Sequence, residues 1–112
     1  MEDLLKQKCV ACRADAPRVT DDELPALLKE IPDCQPITKD SVLMLNRVFK
    51  FDDYEQSLRF TQKVAALAEE EDHHPAILLE WGKVEVTWWT HKIGGLHKND
   101  FIAAAKTDTL NT

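Results

Sequence analysis

The segment from Asp52 to Pro75 constrains the fold of this chain more than any other. Asp52-Asp53-Tyr54-Glu55 reads as a helix start, a side-chain acceptor followed three residues later by an acid. Tyr54, Leu58, Thr61, Val64, Ala65 and Ala68 then continue on one helical face. Pro75 sets the end: its ring disfavours helical geometry at His74, so the helix should stop near Asp72 after roughly five turns. A single one-sided helix cannot bury its own stripe, and the flanking chain must supply the surface.

Both flanks change to a period near two. From Val42 to Phe51, Leu43, Leu45, Phe49 and Phe51 fall on one face, which predicts a strand. Cys34 to Ile37 is expected to pair with it across Thr38-Lys39-Asp40-Ser41, and Pro36 confines this first strand to an edge. Beyond the helix, Ala76–Trp81 and Val84–His91 are β-rich runs separated by Gly82-Lys83, where glycine in first place suits a type II′ hairpin. Alternation puts Val84, Val86 and Trp88 on one side and Glu85, Thr87, Trp89 and His91 on the other.

A short helix should precede this set. Thr20-Asp21-Asp22-Glu23 matches a capping box, Leu24, Leu27, Leu28 and Ile31 form a stripe, and Pro32-Asp33 stops it; Pro25 is early enough to be tolerated. A final helix is expected from about Lys98 to Lys106, after the turn Lys92-Ile93-Gly94-Gly95-Leu96. The order is α-β-β-α-β-β-α, an α+β fold in which a four-stranded antiparallel sheet carries its helices on one face. Residues 1–19 read as an irregular or weakly helical lead-in, and residues 20–112 as a single domain.

Charge and cysteine usage exclude several functions. A net charge of −6 and a pI near 5.1 argue against a phosphate-backbone binder, so nucleic acid is not an expected direct partner. No apolar run approaches the roughly 20 residues that span a bilayer, and Met1-Glu2-Asp3 is acidic where a secretory leader is basic; the expected address is the cytoplasm. Three cysteines do not make a disulfide framework. Cys9 and Cys12 have zinc or redox spacing but no second pair follows, so reduced surface thiols are the expectation.

Chemistry is concentrated between Glu69 and Asp100, which hold all four histidines, all three tryptophans and all three glycines. Glu69 and His73, four apart, could share a hydrogen bond that orients the imidazole for proton transfer. His73-His74-Pro75 fixes two imidazoles in different directions at a helix exit, and His91 closes the last strand where helix end and strand end should meet. Proton transfer ranks above metal binding here, because neighbouring residues rarely face one ion. Asp100, third in the final helix, is placed to satisfy backbone N–H groups at the helix start. Of Trp81, Trp88 and Trp89, at least one should face away from the helices, available to a flat ligand or another subunit.

These residues carry a family resemblance. Glu69, three residues, His73-His74-Pro75, five residues, Trp81, nine residues, His91, eight residues and Asp100 together resemble the signature of the pterin-4a-carbinolamine dehydratases. Phe49-Lys50-Phe51 and Gly94-Gly95-Leu96 are similar too, and the likeness spans residues 20–108. It implies dehydration of a 4a-hydroxytetrahydropterin to the quinonoid dihydropterin by acid and base, with no metal or organic cofactor. Carried over by position, His73, His74 and His91 form the catalytic set. His73 and His91 are its principal acid/base groups, His74 and Trp81 bind the pterin, Glu69 supports His73, and Asp100 holds the His91 side. The resemblance further implies a homodimer or homotetramer working beside an aromatic amino acid hydroxylase such as phenylalanine hydroxylase. A non-catalytic regulator of that hydroxylase or of transcription, and a related pterin as substrate, are the alternatives. Cys34 departs from the pattern, standing where the family usually has a tryptophan near the pocket.

Overall fold

The structure is a computed structural model that describes Leu4 and residues 18–90 and 93–110. Its elements are α1 (Leu24–Lys29), β1 (Gln35–Lys39), β2 (Val42–Lys50), α2 (Tyr54–Glu71), β3 (Ala76–Glu80), β4 (Lys83–Trp88) and α3 (Lys98–Leu110). The four strands form one antiparallel sheet in the order β1-β2-β4-β3. The expected α+β architecture is present, with β2 and β4 central and β1 and β3 at the edges. Cys9, Cys12 and His91 lie outside the described residues.

The strand alternation sorts the sheet as expected. Leu45, Phe49, Val84, Val86 and Trp88 are buried against Phe60, Val64 and Ala68 of α2 and Phe101, Ile102 and Ala105 of α3. Phe60 packs its ring on Phe49 and Phe51, at centroid distances of 4.5 and 5.2 Å. Arg47 also faces inward, over the Phe49 ring, where Asp108 at 2.7 Å and Asp33 at 3.6 Å compensate its charge. Burial pushes the Asp108 carboxyl above its ordinary value, with Arg47 opposing the shift. α3 runs to Leu110 rather than stopping near Lys106, and its last turn carries the Asp108 that pairs with Arg47.

Local signals act much as read. Thr20 and Glu23 form the reciprocal box, with Thr20 N–H donating to Glu23 Oε1 at 3.0 Å and Glu23 N–H to Thr20 Oγ1 at 3.2 Å. The cap of α2 is shifted by one residue from the box read at Asp52 and Glu55: Asp53 accepts from Gln56 N–H at 2.8 Å. Asp40 and Ser41 both have positive φ, 51° and 66°, and close the β1–β2 hairpin as a two-residue turn with Lys39 opposite Val42.

The second hairpin differs by one residue. Glu80 pairs with Lys83, so its loop is Trp81-Gly82 and glycine comes second. Gly94, at φ 59°, is the positive-φ glycine of the described residues, so Gly82 is not required for a II′ turn. It is required for proximity. A Cβ there would lie 3.0 Å from Phe51 O, and Phe51 N–H donates to Gly82 O at 2.9 Å. Gly82→Ala is expected to lower the unfolding free energy by about 1–3 kcal/mol, as strained close approaches do. A shift in the urea midpoint at unchanged slope would register it.

Candidate active site

The exit of α2 sets the site. Asp72 adopts the left-handed region, φ 52°, while His73 N–H donates to Ala68 O at 3.1 Å and Asp72 N–H to Glu69 O at 3.3 Å. This is a Schellman closure with aspartate where glycine is commoner. It turns the chain out of the helical line, so the i, i+4 expectation for Glu69 and His73 does not describe the result. His73 swings into the protein and is 5% exposed; His74 stays outside.

The carboxylate expected at His73 goes to His74 instead, and His73 takes Asp100. His73 Nε2 lies 2.6 Å from Asp100 Oδ1, both side chains buried. His74 Nε2 lies 2.8 Å from Glu69 Oε1, both exposed. The same Asp100 accepts on Oδ2 from Thr90 Oγ1 at 2.8 Å and from the His97 backbone N–H at 2.9 Å. An ionised carboxylate can only accept, which assigns the His73 proton to Nε2, toward Oδ1. The His73 ring stacks on Trp88, centroids 5.6 Å apart at 16°. Tautomer and ring plane are therefore fixed by a carboxylate on one side and an indole on another.

Thr90 and His97 were not singled out by the sequence, yet both meet at Asp100. The missed signal is a capping box in disguise. His97-Lys98-Asn99-Asp100 places an acid three residues after the cap, and His97 Nδ1 accepts from Asn99 N–H at 3.0 Å. Histidine is not a residue one looks for at that position. Burial holds the His97 imidazole below its ordinary pKa, Asp100 pulling the other way and His73 adding to the depression.

Trp81 stands apart. It is 68% exposed at the β3–β4 turn, whereas His73 and His74 precede the other end of β3. Five strand residues separate them, about 17 Å at the usual rise. Within one chain the structure does not bring Trp81 to His73 or His74. Cys34 is buried, and burial with nearby Asp108 pushes its thiol up to about 12, so it remains protonated and unreactive. It lines a cavity of about 10 Å³ together with Arg47, Trp88, Thr107 and Asp108. Trp88 Nε1 is buried and has no hydrogen-bond partner among the described residues. Cys34 thus shares a cavity lining with the tryptophan whose ring stacks on His73.

A cleft of about 230 Å³ opens against the loop leading to His97, between Arg18, Asp21, Ser41 and Gly95. Among the described residues, no three His, Cys, Asp or Glu side chains are grouped to hold a metal ion, and no helix is long and apolar enough to cross a membrane.

Comparison with known proteins agrees with this geometry at the level of family. The model of the family described as pterin 4 alpha carbinolamine dehydratase matches residues 17–110. A Marinobacter nauticus protein provisionally named pterin-4-alpha-carbinolamine dehydratase is 63% identical over 110 residues, covering 98% of this chain and 99% of its own. A Nitrosococcus oceani protein of the same provisional name is 59% identical, covering 98% and 97%. The crystal structure of a transcriptional coactivator/pterin dehydratase from Brucella melitensis superposes with a TM-score of 0.77 at 29% identity, over 86% of this chain and all of that one. A pterin dehydratase-like protein identified as a RuBisCO assembly factor in the alpha-carboxysome gives 0.60 at 29% identity, over 70% and 89%. With nearly its whole length matched in sequence and the fold shared, the chain belongs to the pterin-4a-carbinolamine dehydratase family.

Proposed function

We propose that this protein dehydrates a 4a-hydroxytetrahydropterin to the quinonoid dihydropterin, regenerating the pterin used by an aromatic amino acid hydroxylase. The carbon–oxygen bond to the hydroxyl breaks, and an acid supplies the proton that makes it water. A base takes the proton from the neighbouring ring nitrogen, whose electrons form the new C=N bond. Positioned imidazoles are suited to both transfers near neutral pH.

The observation that carries this reading is the His73–Asp100 contact at 2.6 Å, buried and backed by Thr90 and His97. With Nε2–H directed at Asp100, proton exchange at His73 would run through Nδ1. His74, oriented by Glu69, serves as the second imidazole or as the group that holds the pterin. His91 completes the catalytic set on the strength of the family pattern. Trp81 enters only through oligomerisation, since a second copy would have to bring it to a pterin held at His73.

The test is stopped-flow absorbance of a 4a-hydroxypterin generated by a hydroxylase in the cytoplasmic pH range. Catalytic amounts of the protein should accelerate its decay, and an unchanged decay rate sinks the proposal. A second reading is a non-catalytic, oligomeric partner of the hydroxylase or of a transcription factor. It is favoured by Leu78 and Trp81, 53% and 68% exposed around the β3–β4 hairpin. Binding to the hydroxylase that survives His73→Ala, with no catalysis by the parent protein, would select it.

A further inference from the structure

We infer that His97 is a positioning residue of this site: its neutral imidazole caps α3 and so aims Asp100 at His73, and its protonation releases that alignment. The inference rests on reading His73 as an acid/base group, and concerns what holds it in place. The geometry is reciprocal. His97 Nδ1 accepts from Asn99 N–H at 3.0 Å, while Asp100 Oδ2 accepts from His97 N–H at 2.9 Å. The same carboxylate's Oδ1 meets His73 Nε2. A single residue therefore ties the start of α3 and the carboxylate that orients the imidazole at the exit of α2.

Most helix caps accept through a hydroxyl, amide or carboxylate oxygen, which keeps its lone pairs at neutral pH. An imidazole differs. It accepts through Nδ1 only while neutral, and in that state its proton must be on Nε2. Protonation turns Nδ1 into a donor facing the donor N–H of Asn99, and the cap is lost. Among the described residues, the ionisable groups that bear on it are Asp100 from its own helix and His73 from the exit of α2. Thr90, from beyond the end of β4, contributes a neutral hydroxyl to the same carboxylate.

The sign follows from burial. His97 is 9% exposed, and desolvation, reinforced by His73 and opposed by Asp100, lowers its pKa. A histidine depressed in the folded state contributes stability that is present above about pH 6.5, its ordinary value, and is lost as pH falls through the folded value. The capped geometry is thus held at neutral pH and released by acid.

The test is an imidazole and amide NMR titration of the ¹⁵N-labelled protein from pH 8 to pH 5, with His97→Asn and His97→Ala in parallel. At pH 8, His97 should show the Nε2–H tautomer. On acidification the Asn99 amide and the His73 ring should shift together with His97, at a midpoint below 6.5. In His97→Asn the side-chain oxygen caps without titrating, so the His97-linked step in the His73 profile should disappear. His97→Ala should shift the Asn99 amide already at pH 8. The acid limb of kcat should lose the same step in His97→Asn, with KM unmoved. An Nδ1–H tautomer at pH 8, or a His73 profile in His97→Asn that superimposes on the parent's, overturns the inference. The ring titrations need no substrate, so they decide it even if the protein proves catalytically silent.

Discussion

Asp100→Ala is expected to be the most destabilising single substitution in the site, by about 4 kcal/mol. The estimate rests on the number of partners left behind. The His73 ring nitrogen, the Thr90 hydroxyl and the His97 backbone N–H all meet this one carboxylate, which is fully buried. Each stranded buried donor costs about 1–3 kcal/mol, and breaking a buried charged pair costs about 3–5. Domains of this size have about 5–15 kcal/mol in total, so about a quarter or more of the stability should go, with a fall in Tm of about 15–20 °C. Asp100→Asn keeps the shape but presents an NH₂ group to donors, and must turn it either toward His73 or toward Thr90 and His97. It should fold with smaller loss, yet lower the dehydration rate by about 10²-fold or more, because the His73 tautomer is no longer held. Urea denaturation and the stopped-flow rate measure the two effects separately. An Asp100→Ala protein within 1 kcal/mol of the parent would mean that the network does not organise this region.

Much of the fold was legible because its signals are local and mutually consistent. The helix start and Pro75 bound the long helix, but its buried face is Ser57, Phe60, Val64 and Ala68, so that Tyr54 and Leu58 of the expected stripe are exposed; alternation at Val84, Val86 and Trp88 fixes which face of β4 is buried. Where the reading slipped, a short-range rule met a change of backbone direction. Glu69 and His73 are neighbours only on a continuing helix, and the left-handed Asp72 takes His73 off that surface, leaving Glu69 to His74. Asp100 was read as satisfying backbone N–H groups at a helix start, and it does accept from His97 N–H. Its second oxygen faces a residue 27 positions earlier in the chain, a contact that no local pattern encodes. Gly82 shows a related failure: glycine suggested a dihedral need, whereas the need is steric and comes from Phe51, just past the end of β2. Cys34 was noted for the ring it lacks. In the fold it is a buried core residue that lines one cavity with Trp88, the ring on which His73 stacks.

The adjacent histidines should separate cleanly on mutation, although both belong to the proposed acid/base set. His74→Ala removes an exposed ring paired to an exposed carboxylate, so stability should change by no more than about 0.5 kcal/mol while the rate falls. His73→Ala removes a ring stacked on Trp88 and leaves the buried Asp100 one donor short, so it should cost about 2–4 kcal/mol as well as about 10²–10⁴-fold in rate. A loss of rate in that variant could then be blamed on the fold. His73→Gln resolves this, since its side-chain NH₂ can donate to Asp100 as the Nε2–H of the imidazole does, but an amide cannot shuttle a proton near neutral pH. Recovery of thermal stability without recovery of rate is the expected outcome, measured by calorimetry and stopped-flow at a temperature where all three variants are folded. Wild-type turnover in a folded His73→Gln protein would remove His73 from the acid/base set. Proton transfer would then fall to the solvent-exposed pair of His74 and Glu69, whose imidazole is turned outward where a pterin can reach it without displacing the core.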